Sequence, residues 1–175
     1  MNELIEKVEE WARVRRLHTA DPKAQALKVV EEFTEMIMAF NDFTATKKGA
    51  EDVKNEVIDG VGDTYVTLII LCQQLDIDFV STLTRRNLVP KGEVAEILNY
   101  LSTAVSKGKK HNVEYAVMDI SEVANRIASY VGIEPIECLQ VAYNEIKDRK
   151  GMMIDGTFIK YDDLSDENKA TLDNA

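Results

Sequence analysis

Apolar residues recur along most of this chain at intervals of three and four positions, which is the pattern of amphipathic α-helices. The first such face runs from Leu4 to Ala12 and predicts a helix over about residues 2–17. Asp21-Pro22 is typical of a helix start, because aspartate caps free N–H groups and proline fits the first helical position. We therefore predict a second helix over about residues 22–41.

A third apolar face follows a predicted loop at residues 44–50, which contains Lys47-Lys48-Gly49. This face predicts a helix over about residues 51–75. Gly60 and Gly62 lie inside it, where each glycine costs about 1 kcal/mol relative to alanine. We expect these two glycines to let another helix or a ligand come close.

The rest of the chain predicts shorter helices and a small C-terminal hairpin or extended tail. The hairpin covers residues 152–160 and turns at Asp155-Gly156, whereas the polar residues 165–175 are expected to fray. The shorter helices are predicted at about residues 79–86, 93–105, 113–131 and 135–151, with a turn at Pro90-Lys91-Gly92.

Together these elements predict an all-α bundle of antiparallel helices that forms one domain over residues 1–164. The helices with candidate chemistry lie in residues 1–75, additional helices in 79–131, and a last helix with its tail in 134–164.

Composition agrees with one compact domain, since the chain has 175 residues of which 45% are hydrophobic. The net charge of −10 argues against a nucleic-acid partner, because such proteins need a basic face to displace counterions from phosphate. A polyanionic ligand would bind only where metal ions or a few local cations reverse the field.

Cys72 and Cys138 lie among apolar residues, and with only His18 and His111 no Cys/His zinc cluster is expected. We expect reduced, buried thiols, as in cytosolic proteins. The charged N-terminus lacks the apolar region of a secretory signal, and no apolar run approaches the roughly 20 residues that span a bilayer. We therefore expect a cytoplasmic protein without a membrane partner.

Two acidic clusters carry the candidate chemistry. The first, Glu31-Glu32-Phe33-Thr34-Glu35, lies on the second helix, where Lys28, Glu32 and Glu35 share one face at about 100° per residue. The second cluster shares one face of the third helix and consists of Glu56, Asp59 and Asp63. Both rows lie beside apolar positions.

An antiparallel helix pair would bring the two rows together, and the short predicted loop suits such a pair. Converging carboxylates repel one another unless a cation is present, and an all-oxygen site suits Mg²⁺ or Mn²⁺. The alternative is that both clusters are solvated helix faces. A di-iron site is disfavoured, because it requires Glu-x-x-His on two helices and neither histidine has a glutamate three positions before it.

These motifs resemble those of the MazG-like nucleoside triphosphate pyrophosphohydrolases and of their relatives, the dimeric dUTPases and the phosphoribosyl-ATP pyrophosphohydrolases. That family has ExxE on one helix and ExxD on the next. Here Glu32-Phe33-Thr34-Glu35 matches ExxE, and Gly62-Asp63 stands in the usual place of the second motif. The run of residues 142–151 resembles the C-terminal helix of short, often phage-borne members. The resemblance covers about residues 8–75 and 138–163.

The second motif departs from the family pattern at Gly60, which stands where the ExxD glutamate is expected. Glu56 and Asp59 form an alternative ExxD one turn earlier. Either Asp59 or Glu56 is therefore a candidate to supply the missing ligand from a neighbouring position.

The resemblance implies Mg²⁺-dependent hydrolysis, with Mn²⁺ as a substitute, of a nucleoside triphosphate between its α- and β-phosphates. The products would be a nucleoside monophosphate and pyrophosphate, and dNTPs are the first candidates as substrates. Glu32, Glu35 and Asp63 are the expected metal ligands. Asp59 and Glu56 are expected to act as further ligands or as the general base.

The candidate substrate-binding residues are Trp11, Gln25, Lys28, Asn144, Lys147 and Arg149. The resemblance implies that the last three meet the nucleotide, and the two C-terminal cations would neutralise the departing pyrophosphate. Alternatively, Lys147 and Arg149 are cations at a helix C-terminus, where the helix dipole favours positive charge. Trp11 and Gln25 are candidates for contacts with the base. The alternatives are that the Trp11 indole lies in the core and that the Gln25 amide is solvated.

Two other functions remain open. One is a non-catalytic protein of the same fold that binds a nucleotide or a partner chain, which the glycine at position 60 favours. The other is a phosphoribosyl-ATP pyrophosphohydrolase-like enzyme. The resemblance also implies a homodimer or a dimer of dimers, with the acidic groove completed by a neighbouring subunit.

Overall fold

The computed structural model describes residues 1–46, 51–84, 93–154 and 157–173. In these ranges the chain forms eight α-helices and one two-stranded hairpin, so the predicted all-α class is confirmed. The helices are α1 (Asn2–Val14), α2 (Pro22–Ala45), α3 (Glu51–Gln74), α4 (Phe79–Thr84), α5 (Val94–Ser106), α6 (Lys110–Val131), α7 (Pro135–Ile146) and α8 (Asp166–Asp173). The strands are β1 (Gly151–Ile154) and β2 (Thr157–Lys160), and short 3-10 helices cover Leu17–Thr19 and Tyr161–Asp163.

Local capping signals explain where several helices begin. The Asp21 carboxylate accepts a hydrogen bond of 2.9 Å from the backbone N–H of Lys23, and Pro22 opens α2. A glutamate capping box starts both α5 and α7. The predicted turns at Lys47-Lys48-Gly49, Pro90-Lys91-Gly92 and Asp155-Gly156 lie outside the described residues.

The central helix is α3, which packs against α1, α2, α6 and α7. Its residues 64–72 are all buried, which explains why this stretch of the sequence is apolar almost throughout. The α2–α3 pair is antiparallel: the Gln25 amide donates to the Thr67 carbonyl at 3.0 Å near one end, and Met36 packs against Gly60 near the other. Both free cysteines are buried in the core, as the sequence predicts.

Two interior glycines of α3 are points of close helix approach, as expected from the sequence. A Cβ atom at Gly60 would stand 2.9 Å from the Cα atom of Met36 on α2. A Cβ atom at Gly62 would stand 2.8 Å from the Cβ atom of Ala142 on α7 and would also meet the Cys138 carbonyl. Both distances are below normal van der Waals contact, so these residues set how closely α2 and α7 pack on α3.

The C-terminal part differs from its prediction in two respects. The last long helix, predicted to reach residue 151, ends at Ile146, where the side chains of Trp11 and Arg15 bind the carbonyls of Ile146 and Arg149. The tail expected to fray contains α8, in which the Ser165 hydroxyl accepts a hydrogen bond from the Asn168 N–H at 3.4 Å. The predicted hairpin is confirmed, with Met152 opposite Ile159 across its antiparallel strands.

Candidate functional site

The antiparallel packing of α2 and α3 places acidic side chains of both helices near one another. Glu32 is almost buried, with 8% of its surface exposed, and Asp63 is half-buried on the facing helix. Burial raises the pKa of Asp63 to about 7, and the negative charges of Asp59, Glu32 and Glu145 contribute to the rise. The predicted convergence of the two rows therefore has a measurable electrostatic consequence.

Asp59 lies one turn before Asp63 and is also half-buried. Burial raises its pKa, and the charges of Glu145, Glu32 and Glu35 raise it further, while Arg149 lowers it. Among the described residues, the Asp59 Oδ1 atom is buried and accepts no hydrogen bond. A buried carboxylate oxygen without a partner is costly, so this atom is suited to a cation or a donor from a ligand.

Lys28 already compensates part of the negative charge on α2. Its ammonium lies 2.8 Å from Glu32 and 3.0 Å from Glu31. Burial lowers the pKa of Lys28, but hydrogen bonds to the two glutamates outweigh that effect and raise it overall. Lys28 is thus placed on the acidic face, as the sequence predicts, and it shares the Glu32 carboxylate with any other cation that would bind there.

The carboxylates are neighbours, but they are not arranged as a finished metal cage. Over the described ranges, no three acidic, histidine or cysteine side chains are close enough to hold an ion as they stand. Glu35 and Glu56 are exposed on their helices. Glu35 acts on Asp59 through space, whereas no effect of Glu56 on either aspartate stands out. Ion binding would therefore require side-chain rotations, first of all by Glu32 away from Lys28.

Glu145 on α7 belongs to this region, although the sequence did not single it out. The close approach of Gly62 to Cys138 and Ala142 sets the register of α3 against α7. One turn further along each antiparallel helix, Asp59 then comes near Glu145, whose charge is the largest of the through-space effects on Asp59. Only the helix packing reveals this neighbour, because more than eighty positions separate the two residues in the sequence.

The polar residues Asn144, Lys147 and Arg149 lie at and just beyond the end of α7, and Arg149 acts on the acidic region. The Arg149 guanidinium lowers the pKa of both Asp59 and Asp63, which places its positive charge on the acidic side of the bundle. Asn144 accepts hydrogen bonds through Oδ1 from Gln140 at 3.2 Å and from the Lys147 ammonium at 3.5 Å. Because α7 ends at Ile146, Lys147 and Arg149 lie on the turn that leads into the hairpin.

The two residues predicted to contact a base are used inside the fold. Trp11 lies in the core, its indole N–H donates to the Ile146 carbonyl at 2.7 Å, and its ring packs edge-on against Phe158. The Trp11 indole is therefore part of the core, and its N–H is already paired. The Gln25 amide is not simply solvated, because it bridges α2 to the Thr67 carbonyl.

A groove on another part of the described molecule is also large. It has a volume of about 1100 Å³, and its lining includes Tyr65, Ser121 and Asn125. The Tyr65 hydroxyl donates to the Asn125 side chain at 2.8 Å at this groove. None of the candidate site residues lines this groove.

No known family profile matches this chain. No solved structure matches it. A protein of 18.2 kDa from the rep-hol intergenic region of Haemophilus phage HP1 (strain HP1c1), itself described as uncharacterized, is 33% identical over 81 residues. The match covers 46% of this chain and 44% of the phage protein, so the two share a segment of less than half their lengths. In the described ranges, no helix is both long enough and apolar enough to cross a membrane.

Proposed function

We propose that the chain is a Mg²⁺-dependent nucleoside triphosphate pyrophosphohydrolase that converts an NTP, first of all a dNTP, to its monophosphate and pyrophosphate. The observation that carries the proposal is the position of Asp59. Its buried Oδ1 atom has no hydrogen-bond partner among the described residues and lies among the charges of Glu145, Glu32 and Glu35. The motif resemblance to the MazG-like family supports the same activity.

The residues fit a divalent ion in chemistry, since all the candidate ligands are carboxylates and Mg²⁺ and Mn²⁺ prefer oxygen donors. The proposed ligands are Glu32, Glu35, Asp59 and Asp63, with Glu56 and Glu145 as the nearest further carboxylates. The raised pKa of Asp59 and of Asp63 reflects crowded negative charge that a cation would relieve. When bound, such an ion lowers the pKa of a coordinated water and compensates phosphate charge.

The cations of the region would meet the substrate phosphates. Arg149 lies on the side of the two aspartates, and Lys147 lies on the same turn after α7. A positive charge in that place stabilises the charge that develops on departing pyrophosphate. If Asp59 does not bind the ion, its half-buried carboxylate is a candidate general base for the attacking water.

A non-catalytic binding protein of the same fold is the second candidate. It is favoured by the absence, in the described part of the chain, of three carboxylates already spaced for an ion, together with Gly60 in place of the family glutamate. For either function we propose a homodimer or a dimer of dimers, because the family resemblance implies that a neighbouring subunit completes the acidic groove.

The test is release of pyrophosphate from a panel of NTPs, dNTPs and phosphoribosyl-ATP with and without Mg²⁺. We expect turnover of at least one dNTP that requires the metal and that Glu35→Gln abolishes in a protein that stays folded. Asp42→Asn is the matched control, because Asp42 is an exposed carboxylate two turns further along α2. Binding of a nucleotide without any turnover would favour the second candidate. Turnover by Glu35→Gln within about threefold of the parent would refute the assignment of that residue.

A further inference from the structure

The C-terminal end of α1 lies against the turn that follows α7. The Arg15 guanidinium donates through Nε and Nη2 to the Arg149 carbonyl, at 3.1 and 2.7 Å. Nη2 also donates to the Lys147 carbonyl at 3.3 Å. The residue that directly follows α1 therefore binds the backbone of both cations assigned to the substrate phosphates, over a separation of more than 130 positions in the sequence.

Arg15 is itself held in place by Trp11, one turn earlier on α1. The guanidinium carbon lies 4.6 Å from the centre of the indole ring, a cation–π distance, and Nη1 donates to the Trp11 carbonyl at 3.3 Å. The Trp11 indole donates in turn to the Ile146 carbonyl. The Trp11 and Arg15 side chains thus bind three carbonyls at and just beyond the end of α7, those of Ile146, Lys147 and Arg149.

The turn held in this way carries the positive charge that faces the acidic region. Its own backbone bonds are few: the Lys147 N–H donates to Tyr143, and the Arg149 N–H donates to Ile146. The Arg149 side chain is half-buried and starts from this backbone, so the position of the turn limits where its guanidinium can lie. A planar guanidinium with several donors can bind two carbonyls at once, which an ammonium does with much less directional control.

We propose that Arg15 is a positioning residue that fixes the turn at residues 147–149, so that the Arg149 guanidinium meets the phosphates of the substrate. The expected effect of Arg15 on turnover rests on the proposed function. Arg15 does not touch the substrate. Its hold on the turn can be measured without any substrate.

The experiment compares Arg15→Gln, Arg15→Lys and the control Arg13→Gln. Arg13 is exposed on the same helix and pairs with Glu10. Amide hydrogen exchange of residues 147–150, followed by mass spectrometry, reports on the turn. We expect Arg15→Gln to speed this exchange about tenfold or more, Arg15→Lys to be intermediate, and Arg13→Gln to match the parent.

Kinetics with the dNTP turned over best, at saturating Mg²⁺, give the second measurement. We expect Arg15→Gln to raise KM about tenfold, with a smaller change in kcat, and Arg15→Lys to recover part of that loss. In the double variant Arg15→Gln with Arg149→Gln, KM should be no higher than in Arg149→Gln alone. Such non-additivity is expected when one residue acts through the other.

Three results would overturn the inference. The first is exchange in Arg15→Gln equal to that in Arg13→Gln. The second is faster exchange with unchanged KM and kcat, which would make the contact structural only. The third is full additivity in the double variant. If Arg15→Gln does not fold, the same comparisons apply to Arg15→Lys. A parent protein without turnover would instead refute the proposed function, and the exchange data would still show whether Arg15 holds the turn.

Discussion

Gly60 on α3 lies directly against the backbone of Met36 on α2, where a Cβ atom at position 60 would stand 2.9 Å from the Met36 Cα atom. The family resemblance predicts a glutamate at this position. In this fold its side chain would point into α2 and not into the acidic region. The packing therefore accounts for a glycine at position 60, and the acidic positions of α3 on either side of it are Asp59 and Asp63.

Substitution of Gly60 should destabilise the protein and should not restore a family motif. Alanine gains about 1 kcal/mol of helix propensity, but overpacking against a backbone atom costs typically 1–3 kcal/mol. We expect Gly60→Ala to be destabilised by about 1 kcal/mol and Gly60→Glu by more. Urea unfolding measures both, and Asn55→Ala, at an exposed position of α3, is the control that should lose nothing. A more stable and more active Gly60→Glu would contradict the packing argument.

The stability of the metal-free protein should depend on pH through Asp63. Its pKa is raised from 3.8 to about 7 on folding, so the folded state binds more protons than the unfolded state between these values. The free energy of unfolding should therefore fall as the pH rises from about 4 to about 7, and then level off. Asp63→Asn should remove most of this fall, while Asp42→Asn should keep it. Urea unfolding at a series of pH values, in a chelator, would disprove the argument if the parent profile rises over this range.

Mg²⁺ or Mn²⁺ should raise the melting temperature, because a ligand of the native state stabilises it by mass action. The double variant Glu32→Gln with Asp63→Asn removes one carboxylate from each facing helix and should erase the shift. Differential scanning fluorimetry across a metal titration measures the effect, with Asp42→Asn as the variant that should still respond. A shift that survives in the double variant would locate the ion elsewhere.

Asp59 and Glu56 are the two candidates to replace the glutamate absent at position 60, and they should differ in effect. Asp59→Asn should lower turnover at least about a hundredfold, as loss of a metal-binding charge commonly does. Glu56→Gln should be milder, because Glu56 is exposed and lies one turn further from Asp63. Steady-state pyrophosphate release at saturating Mg²⁺ compares the two. The reverse order would make Glu56-x-x-Asp59 the working motif, and equally small effects would favour a site of three carboxylates or a protein without catalysis.

Glu145 should behave as a member of the acidic region. Without metal, Glu145→Gln relieves repulsion of Asp59 and should stabilise the protein slightly at neutral pH. With metal, the same change should weaken Mg²⁺ binding, since it removes negative charge near the ion. Calorimetric titration of the metal and urea unfolding give the two results. Equal Mg²⁺ affinity in Glu145→Gln and the parent would exclude this residue from the metal site.

Much of the fold follows from local sequence patterns. Spacings of three and four positions between apolar residues located the helices, and Asp21-Pro22 marked the start of α2 within one residue. Helical phase placed Glu32 with Glu35, and Asp59 with Asp63, on single faces. These features depend on neighbours a few positions away, which is why a single sequence contains them. The end of α7 was misplaced by five residues, because the side chains that bind the carbonyls there are those of Trp11 and Arg15, more than 130 positions away.

Long-range packing decided the rest. The sequence by itself determined that acidic rows lie on two helices, that two glycines interrupt α3, and that an Asn, a Lys and an Arg follow near the end of the chain. Only the tertiary structure decided that Gly60 faces α2, that Gly62 brings Glu145 towards Asp59, and that Arg15 binds the turn before the hairpin. The physical reason is that these relationships depend on the register between helices. That register is set by close contacts between residues far apart in the chain, and no local periodicity encodes it.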